Sequence, residues 1–155
     1  MVQSSALESA AEGHVNSNIY GGDVDVLKAW EEVKNSPHTV LVDVRTQAEW
    51  RFVGIPDLSS VHKQPILVEW QVFPTMELNA SFVDMVIAET SDKTAPIYFL
   101  CRSGVRSKSA AISMTQAGYE NCYNIADGFE GPHDQKKRRG SVGGWKACGL
   151  PWVQG

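Results

Sequence analysis

The sequence predicts an α/β domain built on a parallel sheet. Thr39 to Val44 and Pro96 to Leu100 are apolar runs of strand length, as expected for strands covered on both faces. Other segments carry apolar residues at helical spacing, and they stand before, between and after these runs. Such alternation implies parallel strands joined by right-handed helical crossovers, with helices on both faces. The chain has 155 residues, 43% of them hydrophobic. That suits one domain, which at this size buries roughly 70% of its unfolded surface.

Met1 to Asn18 is rich in Ser, Ala, Glu and Asn. Residues 1–18 are expected to form a mobile tail and residues 19–155 the domain. The tail lacks the basic start and apolar middle of a secretion signal, so a cytoplasmic location is the expectation. Asp23 is expected to cap a helix over 24–34, where Val26, Leu27, Trp30 and Val33 recur at helical spacing. Asn35-Ser36-Pro37 ends it. The strand 39–44 follows, with Asp43 near its end. Thr46 is placed to cap a short helix, 47–52, with Glu49 at the capping-box position. Gly54 ends that helix. Leu58 to Val61 reads as a short strand, and Ile66-Leu67-Val68 is a further apolar patch before Trp70, Phe73 and Pro74.

Asn79 or Ser81 can cap the next helix, in which Phe82, Met85 and Val86 share a face. Thr90 to Thr94 is a polar turn before the central strand, which Pro96 can open. Ser107 to Gln116 reads as a helix, with Ala110, Ala111, Ile112 and Met114 on its apolar spacing and Gly118 as its stop. Cys122 to Ile125 reads as the last strand. Gly128 to Gly144 is polar, glycine-rich and basic, as in a surface loop. Trp145, Leu150 and Trp152 are expected to fold the C-terminus back against the body.

Cys101-Arg102-Ser103-Gly104-Val105-Arg106 falls where the central strand turns into a helix. A short loop there points successive N–H groups inward, and the helix dipole adds to them, which makes an anion site. A thiol held in such a site ionises more easily, so Cys101 is the expected nucleophile. Asp43 shares the rim with Cys101 if the two strands are parallel neighbours, since ligands collect at the carboxyl ends of such strands. The three cysteines cannot all pair, and they show no Cys-x-x-Cys or zinc spacing. Reduced thiols are the expectation. His14, His38, His62 and His133 have no metal-ligand spacing either, so no metal is expected. A net charge of −4 gives no global reason to expect nucleic acid or membrane binding. No apolar run is long enough to span a bilayer.

A cysteine at the end of a strand, four residues, then arginine and a helix resembles the active-site loop of the rhodanese-type sulfurtransferases. The flanks agree. Leu41-Val42-Asp43-Val44-Arg45 with Glu49-Trp50 resembles that family's strand and acidic helix. Asp127-Gly128-Phe129-Glu130-Gly131, Gly144-Trp145-Lys146 and Gly149-Leu150-Pro151-Trp152 resemble its glycine-rich turn and closing segment. One departure is Gly54-Ile55-Pro56-Asp57-Leu58, where many members carry Gly-His-Ile-Pro-Gly-Ala. The resemblance covers roughly residues 20 to 153. It implies a single rhodanese-like domain with a central five-stranded parallel sheet, of the thiosulfate sulfurtransferase type. It also implies ping-pong catalysis, in which Cys101 takes sulfur from a small anionic donor as a persulfide and passes it to a protein or small thiol acceptor. That covalent persulfide is the intermediate, and no cofactor is implied.

Arg102, Ser103, Gly104, Val105 and Arg106 would then bind substrate as the loop. Gly104 has either a backbone role or that of an ordinary pre-helix glycine. Ser103 either caps the helix or donates to the persulfide. Arg102 faces the mouth of the site or plain solvent. Arg106 matches the family's closing arginine and either braces the loop or touches substrate. Asp43 and Arg45 are supporting residues, since a carboxylate in contact with Cys101 would disfavour its thiolate. Trp70, Phe73 and Phe82 could wall the site from water or simply pack in the core. Lys136-Lys137-Arg138-Arg139 is the only basic run, either solvated or steering an anionic donor or acidic acceptor. Cys122 and Cys148 read as small buried apolar residues. Two other functions compete: a cysteine-dependent phosphatase or arsenate reductase on the same fold, and a non-catalytic interaction module. The phosphatase loop typically has one more residue between cysteine and arginine than the four found here.

Overall fold

The computed structural model describes residues 19–154, and the predicted tail, 1–18, lies outside the described residues. The strands are β1 (Asp23–Val24), β2 (Val40–Asp43), β3 (Ile55–Pro56), β4 (Ile66–Leu67), β5 (Gln71–Val72), β6 (Glu77–Leu78), β7 (Ile97–Leu100), β8 (Cys122–Ile125) and β9 (Trp152–Val153). The α-helices are α1 (Val26–Asn35), α2 (Gln47–Phe52), α3 (Phe82–Glu89) and α4 (Val105–Gln116). Five strands form one sheet in the order β1-β8-β7-β2-β4. Every pairing in it is parallel. The expected α/β class and five-stranded parallel sheet are both present.

Side chains alternate across this sheet, as the pleat requires. On one face Val42, Val44, Ile97, Phe99 and Cys101 pack with Phe82 and Val86 of α3 and Ala110, Ala111 and Met114 of α4. On the other, Leu41, Tyr98, Leu100 and Ile125 pack with Val26, Ala29 and Val33 of α1 and with Phe129, Trp145 and Leu150. Burying one such large apolar side chain stabilises the fold by about 1.5–3 kcal/mol. Trp145 and Leu150 do fold the C-terminal segment onto the body, but Trp152 is only partly covered. It lies in β9, which pairs antiparallel with β3.

Several local expectations change. The helix after Gly22 is capped by Asp25, whose side chain accepts from Lys28 N–H, whereas Asp23 is in β1. Asp23 is claimed by pairing with β8. Leu58 to Val61 is not a strand. Ser59–Val61 is one turn of 3₁₀ helix, started by Asp57 accepting from Ser59 N–H. In α3, Phe82 and Val86 are buried, but Met85 is exposed. Asn79 orders the entry to α3 by accepting from Ser81 N–H, and Ser81 makes no side-chain cap. A small antiparallel hairpin, β5–β6, occupies the segment that gave no strand signal. The capping box at Thr46 and Glu49 forms as expected, over the predicted helix 47–52.

Candidate active site

The loop 101–106 joins β7 to α4. β7 and β2 are parallel neighbours with Asp43 beside Leu100, so Asp43 and Cys101 reach the same rim. Helix α4 begins at Val105, two residues earlier than its apolar spacing suggested, and Gly104 is its N-cap. Gly104 has φ +105, and a Cβ there would stand 2.2 Å from Ala126 O. Both facts exclude a side chain at this position, so its role is a backbone one. Ser103, with Gly104 as the cap, does not cap the helix.

The Cys101 side chain is almost wholly buried, at 1% exposure. Cys101 is one of the residues lining a cleft of about 630 Å³. Sγ accepts from Gly104 N–H at 3.1 Å and lies 3.1 Å from Ser107 Oγ. The first turn of α4, which starts at Val105 beside the cleft, has N–H groups without intrahelical acceptors, as at any helix start. Glu49, Gln71, Met76, Arg102, Val105 and Glu130 form the walls, with Ser103 and Arg106. Trp70 and Phe73 are not among them. Trp70 is partly buried and packs edge-on against Phe82 of the core at 5.0 Å, and Phe73 is 55% exposed. The hairpin does wall the site, but through Gln71 and Met76.

A second turn holds the loop from behind. Phe129 N–H donates to Cys101 O, and the N–H groups of Glu130 and Gly131 both donate to Arg102 O. Gly128 permits this approach, because a Cβ there would stand 2.4 Å from Arg102 O. The Phe129 ring rests 4.2 Å from the Arg45 guanidinium. Arg45 is itself buried and paired with Asp43 at 2.6 Å, and it also donates to Gly54 O. Asp43 and Arg45 thus act from below, through Phe129, and Asp43 spends its carboxylate on Arg45.

Arg106 braces the loop from the front. Its two terminal nitrogens donate to the two Glu49 oxygens at 2.7 and 3.0 Å. Burial would lower the Arg106 pKa, but the hydrogen bond and charge of Glu49 outweigh it and hold the guanidinium above its ordinary value. Burial likewise works to raise the Glu49 pKa, and Arg106 with Thr46 outweighs it, leaving the carboxyl below its usual range. Arg102 is exposed at the mouth.

Sequence reasoning missed two residues that meet the sulfur directly or through one partner. Ser107 touches Sγ, and Asn124 of β8 accepts from Ser107 Oγ at 2.6 Å. Both read locally as ordinary helix and strand positions, and only the fold brings them together. Among the other cysteines, Cys122 is buried and its thiol is pushed up to about 11 by that burial. Cys148 is exposed, not buried as expected. The basic run is a surface turn organised by Asp134, which accepts from Lys136 N–H and Arg138 N–H. Lys136, Lys137 and Arg138 are exposed, while Arg139 turns back to Gly131 O.

A family described as the STR4 middle domain matches residues 22–155. The solved structure of Rv0390 from M. tuberculosis is 47% identical, with a TM-score of 0.81 over 88% of this chain and 100% of that one. An uncharacterized protein of Rickettsia conorii is 45% identical over 126 residues, covering 81% of this chain and 91% of its own. The chloroplastic rhodanese-like domain-containing protein 4 of Arabidopsis thaliana is 24% identical over 81% of this chain and 24% of that protein. The five-stranded parallel sheet agrees with these matches, and the chain belongs to the rhodanese-like family, in the group of the STR4 middle domain.

Proposed function

We propose that this protein is a sulfurtransferase that carries sulfane sulfur on Cys101. One observation carries the reading: Cys101 lines a cleft and its Sγ accepts from the Gly104 N–H, in a loop with four residues between Cys101 and Arg106. In the first half-reaction the Cys101 thiolate attacks the outer sulfur of a donor such as thiosulfate. The new S–S bond forms as the old one breaks, and its electron pair leaves with sulfite. In the second, cyanide or a thiolate attacks the outer persulfide sulfur, and the electron pair returns to Cys101. Negative charge stays at the site throughout, on Sγ in the free thiolate and on the outer sulfur in the persulfide. The Gly104 N–H stabilises the thiolate directly, and the positive end of α4 favours the anion in both states. Arg102, at the mouth, attracts the anionic donor, and thiosulfate or a small persulfide is the donor class this charge suits.

The test is to incubate the protein with thiosulfate, or with a small persulfide, and weigh it intact and after digestion. The expected result is a gain of one sulfur atom on the Cys101 peptide, discharged by cyanide. No gain from either donor overturns the reading. So does hydrolysis of an aryl phosphate that is lost in Cys101→Ser, which would mark the phosphatase chemistry instead.

A further inference from the structure

Behind the sulfur, and away from the cleft, runs a chain of hydrogen bonds that the sulfur-transfer steps do not use. Ser107 Oγ lies 3.1 Å from Cys101 Sγ and 2.6 Å from Asn124 Oδ1. A hydroxyl has one hydrogen, so it cannot donate to both at once. Asn124 has no freedom to turn away. Its Nδ2 hydrogens are taken by Asp23 Oδ1 at 3.0 Å and by Gly104 O at 3.1 Å, which leaves Oδ1 aimed at Ser107. Asp23 is held in turn by the Tyr20 hydroxyl at 2.6 Å. Ser107 and Asn124 are both buried, so neither can replace a lost partner with bulk water.

We propose that Ser107 is a catalytic residue whose hydroxyl hydrogen is handed between Asn124 Oδ1 and Cys101 Sγ as the sulfur gains or loses negative charge, with Asn124 as the positioning residue. The proposal rests on the sulfur-transfer reading for its purpose. In the neutral state the thiol S–H donates to Ser107 Oγ, and the Ser107 hydrogen points at Asn124. When the thiol proton leaves through the cleft to solvent, the sulfur has nothing left to donate. Rotation about the Ser107 Cβ–Oγ bond then turns its hydrogen onto the thiolate, which joins the Gly104 N–H as a second donor. No covalent bond of Ser107 breaks. Asn124 Oδ1 loses its donor in that state, so it opposes the charged form, and the balance between the two acceptors sets how readily the sulfur carries charge. When the persulfide forms, charge moves to the outer sulfur, and the hydroxyl is free to return to Asn124.

The charged groups around this sulfur are Arg102, Arg106, Glu49 and Glu130, which line the same cleft, the Asp43–Arg45 pair at the end of β2, and Asp23 behind Asn124. The variants below leave all of them in place. The probe is the rate of iodoacetamide alkylation of Cys101 against pH, read by mass on the Cys101 peptide. It needs no sulfur donor, so its outcome is separate from that of the thiosulfate test. Ser107→Ala, a change a helix interior accepts, should move the midpoint of the profile up by about one pH unit, the size of one charge-assisted hydrogen bond. Asn124→Ala should move it down in the native background and should not move it down in the Ser107→Ala background. An unmoved midpoint in Ser107→Ala, with the melting temperature retained, overturns the proposal. So does an Asn124→Ala effect that is the same in both backgrounds, because the hydroxyl would then play no part in it.

Discussion

Arg106 and Glu49 meet in a two-pronged ion pair, with bonds of 2.7 and 3.0 Å, although 57 positions separate them in the chain. Glu49 Oε1 is also the acceptor of the α2 capping box, taking Thr46 N–H and Thr46 Oγ1. One carboxylate therefore fixes the start of α2 and the end of the cysteine loop together. Both side chains are largely covered, at 16% and 20% exposure.

Glu49→Gln keeps the shape and an oxygen for Thr46 but removes the charge opposite Arg106. A covered guanidinium left without its anion should cost about 2 kcal/mol, less than a fully buried pair because some solvent reaches it. For a chain of this size that is a fall of roughly 4–8 °C in melting temperature. Sulfur loading from thiosulfate should slow as well, since the loop loses its front brace. A melting temperature within one degree of the native protein would show that the pair holds nothing.

The same pair gives a pH dependence with a definite sign. The Glu49 carboxyl is held below its ordinary range, with burial opposing the shift and Arg106 and Thr46 outweighing it. A depressed carboxyl contributes stability that is fully present above the free value, about 4.3, and is lost as pH falls through the folded value. The melting-temperature gap between native protein and Glu49→Gln should therefore be constant from neutral pH down to about 5 and close below it. A gap that persists undiminished to about pH 2 would contradict the assigned cause.

Much of this site can be read from short stretches of sequence, because its parts are local. A strand that ends at Cys101, a glycine before a helix and an arginine in its first turn all lie within one stretch. The box at Thr46 and Glu49 has its own spacing. What could not be read is what the chain joins across distance. Glu49 had a sufficient local role, so nothing pointed to Arg106 as its second partner. Ser107 and Asn124 meet only because α4 lies against β8. The β5–β6 hairpin has two residues per strand, too few to show a period of two. Asp23 and Asp25 are equally good caps by type, and only the pairing of β1 with β8 decides between them. Trp70 and Phe73 looked alike as aromatic wall residues, yet one faces the core and the other solvent.

Gly104→Ala tests the tight turn behind the cysteine. Alanine at φ +105 is strained, and its Cβ would meet Ala126 O at 2.2 Å, a backbone atom that cannot move aside alone. The loss should exceed about 1 kcal/mol in denaturant unfolding. Because the Gly104 N–H is the one that meets Sγ, the larger effect should fall on function. Sulfur loading of Cys101 should drop at least tenfold, which corresponds to about 1.4 kcal/mol of lost stabilisation. Native stability with native loading would mean that the loop relaxes at no cost, and that the backbone at this position is not constrained.

The remaining cysteines provide an internal control on environment. Cys122 is buried within β8, and its thiol is pushed up to about 11 by that burial. At pH 8 roughly one molecule in a thousand would hold it as the thiolate, and Cys122, unlike Cys101, does not line the cleft. Cys148 is exposed after the closing turn. Brief alkylation of the folded protein at neutral pH, followed by digestion and mass analysis, should therefore label Cys148 and leave Cys122 untouched. Unfolding in denaturant before alkylation should equalise the two, because the cause is burial and not sequence. Labelling of Cys122 in the folded protein at a rate near that of Cys148 would mean that the β7–β8 side of the core opens readily. The support behind Asn124 and the cysteine loop would then be far looser than the packing of Cys122, Ile97 and Met114 indicates.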